Sequence, residues 1–169
     1  MKLFNDFNTS VEKAFDEIDA EWRTLEGIVI CGTHTPVNWE WQLAMLKIAR
    51  EKNVPVLGIC FGLQLMAIEF ARNVLGIEDA VSEEFGVPGT IVVTKREKLK
   101  VGLHEGQSYW NNYEVREDIR AEFEAHCDKH NMANPNQFYR GVQYHPEYQS
   151  SKDNPHPLLV DFLRVCRQS

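Results

Sequence analysis

Gly58-Ile59-Cys60-Phe61-Gly62-Leu63-Gln64 sets one cysteine between two glycines, where a buried apolar run gives way to a helix-like segment. A turn that sharp brings the positions two before and two after the cysteine against each other, so glycine is needed at both, and the side chain between them is thrust out above the sheet. Free N–H groups and the positive end of a helix dipole at the following helix start favour a thiolate there, and the N–H of Phe61 is placed to donate to an oxyanion. Cys60 is therefore the candidate nucleophile.

A nucleophilic thiol needs a group to take and return its proton. Gly141-Val142-Gln143-Tyr144-His145-Pro146-Glu147 offers one at the end of a predicted strand. Residues i and i+2 of an extended segment point the same way, so Glu147 is expected to orient the His145 imidazole as the third member of a Cys, His, Glu set.

The elements that must position these groups follow from the apolar pattern. Strand-like runs at Gly27 to Gly32 and Val54 to Ile59 flank a helix-like stretch from Val37 to Glu51, which carries Trp41, Ala44, Met45 and Ile48 and ends near Asn53. A helix buried on several sides follows from Leu63 to Leu75 and stops at Gly76. Further strands are expected at Thr90 to Val93, Tyr113 to Val115 and Phe138 to Tyr144, with a closing helix from His156 to Val165. Before Gly27, Ser10 to Ile18 reads as helix and Ala20 to Arg23 as a short strand, leaving Lys2 to Phe7 for any first strand. This alternation predicts an α/β fold with a mostly parallel sheet and helices on its faces.

The chain has 169 residues, which suits one domain, residues 1–169, with no linker or repeat. With 43% apolar and 25% charged residues it should fold. Its formal net charge is −7 and its basic residues cluster only at Lys95 to Lys100, so no nucleic-acid partner is expected. Neither a membrane span nor an apolar leader is visible, and four irregularly spaced cysteines argue against a disulfide framework, so the expected location is cytoplasmic.

The cysteine elbow and the His-Pro-Glu run together resemble the class I, or triad, glutamine amidotransferases. Within that family the glutaminase domains of CTP synthases are most similar, through Ile68 to Gly76, Ser82 to Phe85, Tyr113 to Val115 and Gly141 to Glu147. The resemblance implies a flavodoxin-like fold, no cofactor, and hydrolysis of a side-chain amide through a thioester on Cys60, with ammonia released, for use by a separate synthetase subunit. It implies an oxyanion hole at Gly32 and Phe61, and substrate contacts at Thr33, Gln64, Glu84, Asn112 and Tyr113. Glu84 falls where the family holds the substrate amino group.

Three features depart from that pattern. Thr33 replaces the second glycine of the oxyanion strand, and Asn112 stands where the similar domains carry an arginine before the Tyr-Glu pair. If that arginine grips the substrate carboxylate, glutamine is no longer the evident substrate, and a related γ-glutamyl amide, conjugate or small amide competes with it. The segment before Gly27 is also short, so the N-terminal part is expected to be abbreviated or to lack its first strand, with Trp39, Trp41 and Trp110 as candidates for a partner-facing or homo-oligomeric surface. A different class of reading is a non-catalytic, regulatory relative that binds a partner through the altered pocket; the joint presence of Cys60, His145 and Glu147 speaks against it. Cys31 with His34 and Cys127 with His130 have zinc-like spacing, but an ordinary buried cysteine and exposed histidine explain each pair, and no metal is assigned.

Overall fold

A computed structural model describes residues 1–133 and 137–168. Its first sheet is four parallel strands in the order β1-β2-β3-β7, with β1 at Lys2–Phe4, β2 at Ile28–Ile30, β3 at Val56–Ile59 and β7 at Tyr139–Val142. The first strand is thus present, though only three residues long, and pairs in parallel with β2 from Lys2 opposite Ile28. The expected strand at Ala20 to Arg23 is instead a 3-10 turn at Trp22–Thr24, whose Trp22 is buried against Phe15 with ring centroids 5.2 Å apart.

Helices cover both faces. Helix α1 (Asn8–Ile18) and α5 (Pro157–Cys166) pack with Val29, Leu57 and Ile59 on one side; α2 (Trp39–Glu51), α3 (Phe61–Asn73) and α4 (Glu117–Ala133) pack with Ile30 and Val56 on the other. The alternation along β2 and β3 is what a sheet buried on both faces requires. In α2 the residues named for their helical spacing are not the core face: Trp41 and Ile48 are more than half exposed, while Leu43, Leu46 and Ala49 are buried. This helix carries two apolar stripes, and the one containing Leu43 and Leu46 turns toward α3. Helix α3 meets the expectation of burial on several sides, for Phe61 to Ala71 are all buried.

A second sheet has the order β4-β5-β6, from β4 (Ala80–Ser82), β5 (Thr90–His104) and β6 (Gln107–Val115). β5 and β6 form one long antiparallel hairpin turned at Glu105 and Gly106, both at positive φ, as a two-residue hairpin loop demands. The short strands expected at Thr90 to Val93 and Tyr113 to Val115 are its two ends. Opposite Asn112 the pairing skips from Lys95 to Lys100, a large bulge that bends the hairpin over the carboxyl end of the parallel sheet. Helix α4 was hidden in the sequence by its acidity, since only Ile119, Phe123 and Cys127 are buried among its carboxylates. Among the described residues no helix is long and apolar enough to cross a membrane.

Candidate functional site

Cys60 sits between the last residue of β3 and the first of α3, with φ 55° and ψ −101°, a conformation costly for a residue bearing a Cβ. The glycines around it are forced by contact: a Cβ on Gly58 would lie 2.7 Å from the carbonyl carbon of Gly62, and one on Gly62 would lie 2.1 Å from the Ile30 oxygen. The elbow sterics read from the sequence hold in these numbers.

His145 Nδ1 lies 2.7 Å from Glu147 Oε1, with both side chains buried. The route to this contact differs from the one expected. The strand stops at Val142, residues 143 and 144 form a bend, and Pro146–Gln149 forms a 3-10 turn, so a turn and not strand alternation brings the carboxylate back to the ring. Tyr148 from the same turn stacks on the imidazole, centroids 4.7 Å apart. The ring's other nitrogen, Nε2, is buried and has no partner at hydrogen-bonding geometry among the described residues. Burial pulls the His145 pKa down, but the nearby Cys60 side chain and the Glu147 carboxylate more than offset it and push the value up to about 10.

The sulfur itself is held from two sides. Its thiol points at the Trp110 carbonyl, 3.7 Å away, and Gln143 Nε2 donates to it over 3.5 Å. Gln143 was not singled out, and since it lies in the bend after Val142, strand alternation does not account for its place beside the sulfur. Gly32 packs behind the pair: a Cβ there would meet His145 Cε1 at 3.1 Å and Cys60 Cβ at 3.6 Å. Neither the Gly32 nor the Phe61 N–H donates to any described residue, the latter as a first-turn helix donor.

Above the sulfur is a cavity of about 250 Å³, near the small end of the range for small-molecule sites. Cys60, Phe61, Thr33, Gln64, Glu84, Asn112 and Tyr113 all line it, so the topology gathers these expected positions from both sheets. Gly32, His145 and Glu147 lie outside its lining. Thr33 is buried, with a hydroxyl accepting from the Thr35 N–H at 3.0 Å. Glu84 stands in a 3-10 turn at Glu83–Phe85, its N–H donating to Ser82 Oγ at 3.2 Å. Its carboxylate has no hydrogen-bond or ion-pair partner among the described residues, and burial pushes its pKa up to about 7. Asn111, which sequence reasoning passed over, is buried and also lines the cavity. Nothing in its spacing announced it.

Among the described residues no three His, Cys, Asp or Glu side chains gather as a ligand set, and Cys127 is a buried helix residue whose thiol is pushed up by burial. All four cysteines are free. Of the three tryptophans considered for a partner surface, Trp39 is half-buried and stacks on Phe85 at 4.3 Å, whereas Trp41 and Trp110 are exposed.

A family profile described as glutamine amidotransferase class-I matches residues 5–165. CTP synthase of Bacteroides fragilis is 31% identical over an alignment that covers 89% of this chain and 36% of that protein. CTP synthase of Aquifex aeolicus is 30% identical, covering 84% of this chain and 34% of that protein. The chain thus spans about a third of the length of the curated relatives it matches. A Trypanosoma brucei CTPS glutaminase domain with bound acivicin superposes with a TM-score of 0.77 at 20% identity, covering 98% of this chain and 89% of that one, which shows the shared fold.

Proposed function

The chain belongs to the class-I glutamine amidotransferase family, and we propose that it is an amidase that hydrolyses glutamine or a related amide through a thioester on Cys60. The observation that carries this reading is the buried cluster itself: a strained cysteine, an imidazole with one nitrogen unpaired among the described residues, and a carboxylate 2.7 Å from its other nitrogen, beneath a small cavity.

In this reading His145 Nε2 takes the thiol proton, and the sulfur attacks the amide carbon from the floor of the cavity. The N–H groups of Gly32 and Phe61 receive the charge that develops on the carbonyl oxygen, where fixed donors in a water-poor site act most strongly. His145 returns its proton to the leaving nitrogen, the C–N bond breaks, and ammonia departs. Water, losing a proton to the same nitrogen, then attacks the thioester; the C–S bond breaks, giving the acid and the thiol. Glu147 keeps the ring oriented and stabilises its protonated form throughout, which is the direction of the raised His145 pKa.

The ammonia is taken up by a synthetase subunit or domain, and the four free cysteines suit a reducing, cytoplasmic setting. Ammonia release from a panel of carboxamides tests the proposal. Wild-type protein should show turnover that Cys60→Ala reduces at least about a thousand-fold and His145→Ala comparably, as expected for groups that act as a unit. Equal release by wild type and Cys60→Ala would remove the assignment.

A further inference from the structure

Two buried amides in the cavity wall have their orientations dictated by one backbone atom. Gln64 Nε2 and Asn111 Nδ2 both donate to the Tyr113 carbonyl, at 3.1 and 3.0 Å. A carbonyl oxygen can only accept, so each amide must turn its NH₂ toward Tyr113 and its oxygen away. Gln64 Oε1 and Asn111 Oδ1 are in consequence buried acceptors without a partner among the described residues, on residues 4% and 2% exposed. Leaving a buried polar atom unpaired costs about 1–3 kcal/mol, so two in one wall mark a place where a ligand's donors complete the site.

The charges point the same way. Glu84 lines this cavity, and among the described residues no Lys or Arg contributes to the lining. The nearest basic run, Lys95 to Lys100, is spent elsewhere: Arg96 pairs with Glu114, the Lys100 ammonium sits 3.6 Å from the Tyr109 ring centroid, and Lys95 and Lys98 are exposed outside the lining. His34 at the rim is exposed and packs against the rings of Phe7 and Trp110, each 5.1 Å away. One carboxyl group without a counter-ion and two orphaned carbonyl oxygens form a site that seeks N–H donors and positive charge. A ligand carboxylate would meet the neutral amide of Asn112 and no permanently charged side chain of opposite sign.

We propose that the substrate is a small carboxamide whose far end carries an ammonium group and no free carboxylate, an ω-amino amide or a glutamine whose α-carboxyl group is capped. The ammonium pairs with Glu84, its remaining N–H donors and those of the amide satisfy Gln64 Oε1 and Asn111 Oδ1, and the amide carbon lies over Cys60. The proposal rests on the amidase reading for the fate of the amide, but its charge selection stands on the cavity alone.

Four probes separate the charges: 4-aminobutanamide, glutamine α-methylamide, glutamine and N-acetylglutamine. Each can release ammonia only from its primary amide. The full chain should hydrolyse the first two with kcat/KM about ten-fold or more above glutamine, the worth of one charge-assisted hydrogen bond, and N-acetylglutamine least of all. Asn112→Arg should move the ratio toward glutamine by a similar factor. Binding of the same four to Cys60→Ala, measured by calorimetry, separates recognition from chemistry. The same preference in binding without any turnover in the wild type would sustain the charge selection and overturn the amidase reading. Glutamine bound or hydrolysed as well as the capped amides, or no binding of any of the four, would overturn the substrate proposed here.

Discussion

Helix α3 has a buried polar cluster near each end, and the two are built on opposite principles. Toward its C-terminus, Glu69 is fully buried and closed off: Arg50 holds both carboxylate oxygens through Nε and Nη2 at 2.9 to 3.2 Å, and the Tyr139 hydroxyl donates from 3.4 Å. At its N-terminus Cys60 is strained, and Gln64 Oε1, Asn111 Oδ1, His145 Nε2 and Glu147 Oε2 are buried without partners. A network with its carboxylate satisfied holds helices and sheet in register and offers nothing to a ligand. A network with several buried atoms left unpaired around the cysteine and its cavity costs stability, and a bound substrate is positioned to relieve part of that cost. Burial and polarity are the same at both ends, so satisfaction is what separates structure from chemistry here.

Substitutions can break this contrast from either end. The largest effect on stability is expected at the closed cluster: Glu69→Ala leaves the Arg50 guanidinium without its counter-charge and should cost about 3–5 kcal/mol in urea unfolding. Replacing both partners, as Arg50→Met with Glu69→Leu, should recover most of that loss while the ratio of capped to free amide turnover stays fixed. A changed ratio would mean the two ends are coupled.

Glu147→Gln should behave in the opposite sense, with a fall of about a hundred-fold in kcat/KM and a smaller loss of stability, because Gln can still accept from the ring but cannot balance its charge. The His145 value is raised from 6.5 to about 10, so the stabilisation it brings is full below 6.5 and is lost as pH climbs through about 10. The stability gap between wild type and Glu147→Gln should therefore be widest at acid-neutral pH and close as pH nears 10. A gap independent of pH would make Glu147 a packing residue like any other.

The smallest effect is at Glu84. Its carboxyl is raised from 4.5 to about 7, so the folded state holds the proton more tightly and stability falls as pH rises between those values. Glu84→Gln should leave Tm unchanged below about pH 4.5 and raise it by a few degrees above 7, while abolishing the preference for cationic amides. A loss of Tm at neutral pH would move Glu84 into the closed class.

Much of this contrast was legible in the residue string, and unevenly so. The elbow could be read because Gly58 and Gly62 are sterically obligatory, and the contacts a Cβ would make there bear that out. The parallel strands and α3 could be read from apolar period. The two open acceptors could not, since Asn111 and Gln64 become significant only through a shared bond to Tyr113, contributed by the other sheet. The hairpin was read as two short strands because its exposed middle, with Leu99, Val101 and Leu103 alternating among lysines, lacks a buried face. The core face of α2 was not separable by apolar period, because Leu43 and Leu46 on one stripe are as apolar as Met45 and Ile48 on the other.

The central claim is that the Cys60 sulfur forms a covalent acyl intermediate with a carboxamide. Rapid acid quenching of wild-type protein with 4-aminobutanamide, followed by peptide mass analysis, tests it directly. The expected result is an acyl adduct on the peptide carrying Cys60 that forms as ammonia is released and is missing from Cys60→Ala. Ammonia release without any such adduct under quench conditions that preserve a thioester standard, or an adduct on Cys31, Cys127 or Cys166 in its place, would contradict it.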